Sequence, residues 1–568
     1  MSQNQMKPPA PGGSGDSARK VVGGGAARGR GLMRWLDENI LELGREMRFS
    51  YLPPLMVYMA AGISGLTSIV GTFFVKDYLG LSAAFLAALG FWAMIPWALK
   101  MPIGHLVDLM WRWKSALVFL GAGLIALSCV IMVLLIGDRE ALTAFMTPEA
   151  WYVLAVLLAP IGYVVQDTVA DAMTVEAVPR VDEEGRPVPA EQQKLMHTTM
   201  QTLGRVAIIG GTVFVAVINI FMFSGVQDMP EAEKVRIYQL VYLMALSIPV
   251  ISVLGVVIAE FLKVRNRKQL IARGIAPEEA RRLLDVQDDP PQPNWWVLGG
   301  SLAFAIFTVT MGLGQFKYGQ EIIFAGSFAI VSFLVAKLTR ELDPVARETL
   351  IGTAIVIFVF RAVPLAGPSA GWWAIDVLAF DQQFFSVLDL TASTLTLAGM
   401  FVFRRFMAEH SITYIVGALT LAGAVLAMPY VGMYYGLHEW TARMSGGVVD
   451  ARFIALVNTA LESPLGQIAM IPMLAWIARS APNNLKATFF AVMASFTNLA
   501  LSASQLGTKY LNEIFVVTRE VKDPLTGVVK MAADYSQLGE LLIVQTALLL
   551  ILPFTAIAIV RMTRLRTV

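Results

Sequence analysis

The chain has 568 residues, of which 56% are hydrophobic and 15% are charged, and its formal net charge is +2. Soluble domains carry about 25% charged residues, so the composition excludes an ordinary water-soluble protein. The single cysteine, Cys129, excludes a disulfide framework or a cysteine metal site within one chain. Apolar runs of about 18 residues or more recur along nearly the whole length, which predicts an all-α, polytopic membrane protein.

The N-terminal segment, residues 1–50, has no continuous apolar run of the kind found in signal peptides, so we expect a retained cytoplasmic tail. Within it, RWLDENILELGREMRF (34–49) places its apolar residues largely on one helical face. This pattern predicts an interfacial helix lying on the cytoplasmic leaflet. The alternative is an extension of the first spanning helix, which Pro53 and Pro54 disfavour because they would interrupt it.

Fourteen apolar segments predict membrane-spanning helices. They cover residues 52–75, 82–106, 115–137, 151–175, 199–223, 238–262, 296–314, 320–338, 348–366, 382–403, 411–433, 452–477, 485–510 and 539–561. With the N-terminus inside, Lys and Arg concentrate in the cytoplasmic segments, as the positive-inside rule requires. An even count also returns the basic end RMTRLRTV to the cytoplasm. We therefore expect both termini to be cytoplasmic, in the inner membrane of a cell.

A charged segment, 263–294, divides the predicted helices into two sets. Six helices precede it, in residues 51–262, and eight follow it. The first two of these eight lie in 295–340 and are joined by only a few residues, so they predict an inserted hairpin. Residues 341–568 then form a second six-helix bundle. Two six-helix bundles indicate a major-facilitator fold, because alternating access rocks one bundle against the other around a central site.

The end of the second predicted span, GHLVDLMWRWK, resembles the loop signature of major-facilitator transporters, Gly-x-Leu-x-Asp followed by basic residues. The resemblance implies an inner gate formed by Gly104, Asp108 and Arg112. The sequence departs from the signature because tryptophans flank the arginine and the usual following glycine is missing. The alternative interpretation is an ordinary helix end with cytoplasmic basic residues.

Lys100 lies inside the apolar run of the same span, where a charge costs about 2.5 to 3.5 kcal/mol on insertion scales. In the fourth span, Asp167 and Asp171 are four residues apart, so both carboxylates share one helical face. Two unpaired carboxylates would repel each other, so we expect Lys100 and Arg205 to face them across the substrate and proton pathway. A purely structural ion-pair network is the alternative, as is snorkelling of Lys100 to the interface.

The second half carries three further charged residues at predicted membrane depth. Arg361, near Pro364, is either a clamp for an anionic substrate or the ion-pair partner of Asp389. Glu462 lies near Pro464, where it either couples protons to transport or is a hydrogen-bonded acid at a simple helix kink. We place Arg361, Asp389 and Glu462 on the predicted pathway with the N-terminal charges.

Several expected absences narrow the function. All four histidines lie at predicted helix ends or in loops, and no GxxxxGK[ST] phosphate loop occurs. We therefore expect no metal, no cofactor, no enzymatic activity and no use of ATP. Coupling to protons through buried carboxylates is the default expectation. The sequence gives no indication of nucleic-acid binding and does not define the oligomeric state.

Four stretches make the sequence resemble the folate-biopterin transporter family of the major-facilitator superfamily. They are LGLSAAFLAALGFWAMIPWALKMPIGHLVD (79–108), QDTVADAMTVE (166–176), FRAVPLAGPSAGWWAIDVLAFDQQFF (360–385) and IPMLAWIARSAPNNLKATFFAVMASFTNLA (471–500). The resemblance implies proton symport of folates or pterins, with five residues at the family's charged positions: Lys100, Asp108, Asp167, Asp171 and Arg361. A muropeptide or peptide permease of the same superfamily is an alternative, because such permeases carry a similar QDxxxDA segment. An alternative of another class is a transporter-like assembly factor or sensor.

Overall fold

A computed structural model describes residues 42–79, 81–98, 100–110, 113–138, 142–179, 186, 188–284, 295, 298–300, 306–308, 310–311, 317–466, 468, 486–522, 529–563 and 565–567. The chain divides into two compact units, Met1–Arg48 and Phe49–Val568. The described part of the first unit holds one short helix, α1 (Glu42–Arg45). Residues 34–41 of the predicted interfacial helix lie outside the described residues, so that helix stays a prediction.

The described part of the second unit is almost entirely helical. Its helices are α2 (Leu52–Ile63), α3 (Ser68–Tyr78), α4 (Ala83–Ala98), α5 (Lys100–Leu109), α6 (Lys114–Gly137), α7 (Pro148–Ala177), α8 (Ala190–Met222), α9 (Glu231–Ala245), α10 (Ser247–Ala272), α11 (Pro277–Leu284), α12 (Gly319–Leu338), α13 (Pro344–Arg361), α14 (Pro368–Asp376), α15 (Gln382–Val402), α16 (Arg404–Glu409), α17 (Ile412–Tyr434), α18 (Leu437–Met444), α19 (Ala451–Glu462), α20 (Lys486–Ile514) and α21 (Leu538–Met562). One small antiparallel pair, β1 (Val521–Lys522) and β2 (Val529–Met531), precedes α21.

Eight helical segments of the described chain are long and apolar enough to cross a membrane. They are Phe49–Lys76, Lys114–Gly137, Pro148–Ala177, Thr199–Asp228, Glu231–Ala272, Gln382–Val402, Ile412–Tyr434 and Leu538–Met562. Two shorter apolar helices, Ala83–Ala98 and Gly319–Phe333, accompany them. The prediction of an all-α, multi-pass membrane protein is confirmed. The count of fourteen is not, because predicted spans such as 296–314 and 452–477 lie partly outside the described residues.

Local sequence explains where several helices begin and end. The side chain of Thr147 accepts a hydrogen bond from the Ala150 amide, and Pro148 occupies the first helical position of α7. Asp343 caps α13 in the same way through the amides of Val345 and Ala346. These caps satisfy amide groups that have no partner inside the helix, and they fix where the two helices enter the bundle.

Two helix pairs bring the N-terminal half (α2–α10) against the C-terminal half (α13–α21). Within the described residues, α4 packs along α20 and α8 packs along α15, and these pairs carry most of the contact between the halves. The largest buried apolar cluster belongs to the N-terminal half, with Phe74, Leu135 and Tyr238 among its members. Two others lie within the C-terminal half. Each half thus has its own apolar packing, and the seam between the halves follows the two helix pairs.

The helix α12, from the predicted inserted hairpin, crosses this seam. Its Glu321 accepts hydrogen bonds from Lys509 Nζ at 3.0 Å and from Tyr510 Oη at 2.5 Å, both on α20. On the other side, Gln320 Nε2 donates to the Ala88 carbonyl of α4 at 3.2 Å. The helix therefore contacts both halves at the place where they meet.

Candidate functional site

Lys100 lies at the first position of α5 and is held between two carboxylates. Its Nζ is 2.6 Å from Asp167 Oδ2 and 2.7 Å from Asp171 Oδ2. Both aspartates come from α7, and their spacing of four residues points them the same way. The Lys100 side chain is 19% exposed, against 45% for Asp171. The structure therefore brings these three predicted residues together inside the N-terminal half.

Tyr58 completes the polar contacts of this cluster. Its hydroxyl, from α2, donates to Asp171 Oδ1 at 2.5 Å, and its ring is buried. Gly204 of α8 leaves room for the ring, since a Cβ there would lie 2.9 Å from a ring carbon. Sequence reasoning missed Tyr58, because a tyrosine in an apolar span is commonly a packing residue. No local signal in the sequence identifies it, because Tyr58 and Asp171 are 113 residues apart.

The two predicted arginines lie in opposite halves of the chain. Arg205 lies on α8 and interacts electrostatically with Asp167 and with the Tyr58 hydroxyl. Arg361 is the last residue of α13. Within the described part of the chain, neither guanidinium makes a hydrogen bond or an ion pair. Both side chains are half-buried, so neither is fully exposed to solvent.

Asp389 and Glu462 are not brought into ion pairs. Asp389 lies on α15 with an exposed side chain, and its carboxylate has no hydrogen-bonding partner among the described residues. The alternative in which Arg361 pairs with Asp389 therefore has no contact to support it there. Glu462 ends α19 with an exposed side chain and is likewise without a polar partner in the described chain.

The backbone beside Glu462 adopts the kink that the proline suggested. A 3₁₀ turn, Ser463–Leu465, follows α19, and the Ser463 carbonyl accepts a hydrogen bond from Thr396 Oγ1 of α15 at 2.9 Å. Gly399 permits this approach, since a Cβ there would lie 2.3 Å from the Pro464 carbonyl oxygen. The carbonyl released by the break thus contacts the neighbouring helix, and the role of Glu462 stays a prediction.

The predicted inner gate is described only at Gly104. This glycine is half-buried in α5, and a Cβ there would lie 3.8 Å from Thr168 Cγ2 of α7, which is ordinary contact. The side chain of Asp108 and the whole of Arg112 lie outside the described residues. The gate stays a prediction.

Comparisons with known proteins identify the family. The sequence matches the BT1 family over residues 61–566. The chain belongs to the BT1 family. A folate-biopterin transporter of Synechocystis sp. (strain ATCC 27184 / PCC 6803 / Kazusa) is 23% identical over 475 residues, covering 83% of this chain and 76% of the relative. Putative folate transporter 2 of Plasmodium berghei (strain Anka) is 23% identical over 236 residues, covering 37% of this chain and 49% of the relative.

Solved structures of other transporters share the fold of this BT1-family chain. A peptide transporter POT in complex with sulfate has a TM-score of 0.54 at 14% identity, covering 92% of this chain and 98% of that one. A mutant of the nucleoside transporter NupG has a TM-score of 0.52 at 11% identity, covering 90% and 99%. At such identity the likeness shows the fold alone. The predicted major-facilitator fold is confirmed, and so is the resemblance to folate-biopterin transporters.

The family and the fold together define the general function. This BT1-family protein is a multi-pass membrane transporter of small-molecule solutes and not an enzyme, as the sequence predicted. Among the described residues, no cluster of three or more His, Cys, Asp or Glu side chains is arranged to hold a metal ion.

A second cluster in this BT1-family transporter, which the sequence did not reveal, joins the halves near the predicted external end. Lys76 Nζ, from α3, lies 2.6 Å from Asp376 Oδ1 at the end of α14. Tyr535 Oη donates to Asp376 Oδ2 at 2.5 Å, and Gln382 Nε2 donates to Tyr238 Oη at 2.7 Å. Such long-range pairs leave no local pattern in a sequence, because their members are about 150 to 300 residues apart.

Proposed function

We propose that this BT1-family transporter carries folates or pterins across the cytoplasmic membrane by proton symport, with both chain termini inside. The observation that carries the proposal is Lys100 held between Asp167 and Asp171, in a chain whose family relative is a folate-biopterin transporter. Charged side chains within membrane helices are by default associated with a transport pathway. The P. berghei relative, a putative folate transporter, supports the same substrate class.

The pathway runs past the charged cluster of the N-terminal half. Lys100, Asp167, Asp171 and Arg205 contribute two positive and two negative charges, so they balance one another. A balanced cluster tolerates a low-polarity surrounding better than an unbalanced one, and it can exchange partners as the halves rock. Arg361 and Asp389 line the same pathway from the C-terminal half, and Gly104, Asp108 and Arg112 close its cytoplasmic end.

Asp389 is the residue that we assign to proton coupling. Its carboxylate has neither a cation nor a hydrogen-bond donor beside it in the described part of the chain, whereas Asp167 and Asp171 share Lys100. A carboxyl group without a cationic partner gains most by taking up a proton when water leaves the site. The solute and the proton would then move in the same step.

Uptake into proteoliposomes under an imposed pH gradient tests this proposal. The gradient should drive accumulation of labelled folate or biopterin, and a protonophore should abolish it. The variant Asp389→Asn carries a permanently neutral side chain, so it should lose gradient-driven accumulation and keep exchange of labelled for unlabelled solute. Glu439→Gln, which neutralises an exposed carboxylate on α18, is the matched control and should behave as the unmodified protein.

The outcomes separate the rival functions. Accumulation of an anhydro-muropeptide or a dipeptide in place of folate and biopterin would favour a permease of peptide-like solutes. Absence of uptake of every solute, by a protein that inserts and folds, would favour an assembly factor or sensor. Equal gradient dependence in Asp389→Asn and the unmodified protein would reject Asp389 as the proton site while leaving folate transport in place.

A further inference from the structure

The C-terminal end of α10 extends past the helix that it packs against. Ser115, at the start of α6, donates a hydrogen bond to Glu260 of α10 at 3.3 Å, so the two helices are level with each other there. Because α6 is long and apolar enough to cross a membrane, its start marks the predicted cytoplasmic edge of the hydrocarbon. The helix α10 continues from Glu260 to Ala272, which adds roughly 18 Å at a rise of about 1.5 Å per residue.

An apolar stripe runs along the outward face of α10 and past this edge. Its exposed members recur at alternating spacings of four and three residues, which places them on one side of the helix. They are Val250, Leu254, Val257, Phe261 and Val264. The buried positions Leu262 and Leu270 lie on the other side. In a membrane span, an outward apolar face of this kind contacts the acyl chains of the lipid.

The stripe ends in a groove of about 350 Å³ in which apolar and basic side chains meet. The residues that line it are Phe261, Val264, Arg265, Lys268, Gln269 and Ala272. Arg265 and Lys268 lie about 7.5 and 12 Å beyond Glu260 along the helix axis, whereas the headgroup layer of one leaflet is about 5 to 7 Å thick. Side chains of a helix lean toward its N-terminus, so both basic groups point back toward the membrane.

The charge of this segment is of one sign. From Lys263 to Arg273 the chain carries five Lys or Arg residues and no Asp or Glu. Basic side chains near a membrane surface attract anionic headgroups, and two of these five, Arg265 and Lys268, line the groove. The groove thus offers positive charge to a phosphate and apolar surface to the chain attached to it.

We propose that this groove binds an anionic phospholipid of the cytoplasmic leaflet, with its phosphate at Arg265 and Lys268 and an acyl chain along Phe261 and Val264. The continuity of the groove with the apolar stripe favours a lipid over a soluble phosphate, which has no apolar part to place there. The site is separate from the charged cluster around Lys100. It does not depend on which solute the protein carries.

Native mass spectrometry of the full-length protein tests the proposal, with equimolar phosphatidylglycerol and phosphatidylcholine of the same acyl chains added in detergent at physiological ionic strength. Each basic residue near the surface should favour the anionic lipid about fivefold, so the unmodified protein should retain phosphatidylglycerol over phosphatidylcholine by about 25-fold. This comparison needs no variant, so it does not depend on whether a substituted protein folds.

Variants then assign the preference to the groove. Arg265→Gln and Lys268→Gln should each lower the affinity for phosphatidylglycerol about fivefold and leave that for phosphatidylcholine unchanged. Arg267→Gln is the matched control, because it removes the same charge from another face of the same helix, and it should change the preference by less than about twofold. All three side chains are exposed, so the substitutions leave the packing of α10 in place.

Three results would overturn the proposal. Equal retention of the two lipids by the unmodified protein would show that the groove does not select an anionic headgroup. An equal loss of preference in Arg267→Gln would show that general surface charge, and not the groove, attracts the lipid. Displacement of phosphatidylglycerol by inorganic phosphate, but not by sodium chloride of the same ionic strength, would identify a site for soluble phosphate.

Discussion

Lys100, which the sequence predicts to lie at membrane depth, has two anionic neighbours that account for its presence there. On insertion scales an isolated lysine at the bilayer centre costs about 2.5 to 3.5 kcal/mol. With Nζ 2.6 and 2.7 Å from two carboxylates, the ammonium keeps strong partners, and Tyr58 supplies Asp171 with a further donor. The alternative of snorkelling does not fit a head group that is bound on both sides.

Asp167 and Asp171 should repel each other when the charge of Lys100 is removed. We expect Lys100→Met to abolish uptake and to destabilise the protein by roughly 2 kcal/mol. That is less than the 3 to 5 kcal/mol for breaking a fully buried pair, because Asp171 is 45% exposed. The thermal unfolding midpoint and folate uptake in proteoliposomes are the measurements.

The double variant Lys100→Met with Asp167→Asn separates a structural network from a transport pathway. It removes one charge of each sign and leaves Asp171 with its Tyr58 hydrogen bond. Stability should therefore largely return, while uptake stays lost. Normal uptake in the double variant would mean that the network only holds the helices together.

The sequence predicted part of this site for clear physical reasons. The spacing of Asp167 and Asp171 fixes a shared helical face, and the depth of Lys100 in its span places it level with them. The absence of an ion pair between Arg361 and Asp389 in the described chain could not be predicted, because it depends on the rotation of α13 and α15 about their axes. Tyr58 was missed for a similar reason, since its role depends on the tertiary contact.

At the scale of elements, a proline determined where one predicted helix ends. The ninth span was expected to run to residue 366, but α13 ends at Arg361. Pro364 has no amide proton to donate to the carbonyl four residues earlier, so the α-helix stops before it. Apolar character alone extends a predicted span across such a break. The predicted span 348–366 therefore has nearly the length of the observed helix, Pro344–Arg361, and is displaced toward the C-terminus.

One acidic residue of α12, Glu321, makes the polar contacts of this helix with the C-terminal half, beside the packing of Phe328 on Phe358 and Phe496. Glu321 accepts hydrogen bonds from Lys509 Nζ at 3.0 Å and from Tyr510 Oη at 2.5 Å. Its side chain is 23% exposed. We expect Glu321→Gln to lower stability by about 1 kcal/mol, in the range of a partly exposed, doubly hydrogen-bonded charge. Folate affinity should not change, because the residue lies outside the proposed site.

Glu513, which faces the same lysine, provides a matched control for that substitution. Glu513 lies 3.8 Å from Lys509 and is 45% exposed, so Glu513→Gln should change stability by no more than a few tenths of a kcal/mol. Unfolding midpoints measured side by side in one detergent give the comparison. A larger effect for Glu513→Gln than for Glu321→Gln would contradict the attachment described for α12.

At the scale of the whole molecule, the two halves must separate at one end while they meet at the other. Lys76 of the N-terminal half and Asp376 of the C-terminal half pair at 2.6 Å near the predicted external end. This pair links the two halves at that end. Because alternating access requires the pair to open in each cycle, its strength should affect transport.

Exchanging the two charges tests this role of Lys76 and Asp376. The single variants Lys76→Asp and Asp376→Lys each place like charges together, so each should reduce folate uptake by about tenfold or more, since like charges in contact are costly. The double exchange restores opposite charges and should recover a large part of the uptake. Failure of the double exchange to exceed either single variant would show that the pair does not act as a gate.

For the whole molecule, the sequence predicted the fold class and the family. It did not predict the contacts between residues that are distant in the sequence. Hydropathy gives the spanning segments, and motifs such as QDTVADAMTVE carry the family resemblance, because both are local properties of the chain. The contacts of Lys76 with Asp376 and of Glu321 with Lys509 join residues from distant parts of the chain. No pattern within one segment encodes such pairs.

The most direct test of the account is an experimental structure of the full-length protein with folate bound in a lipid nanodisc. The account predicts folate between the two halves, beside the charged cluster of the N-terminal half, with Lys100 facing the aspartates of α7. Folate bound elsewhere, together with Lys100 and Arg361 directed toward lipid, would contradict it.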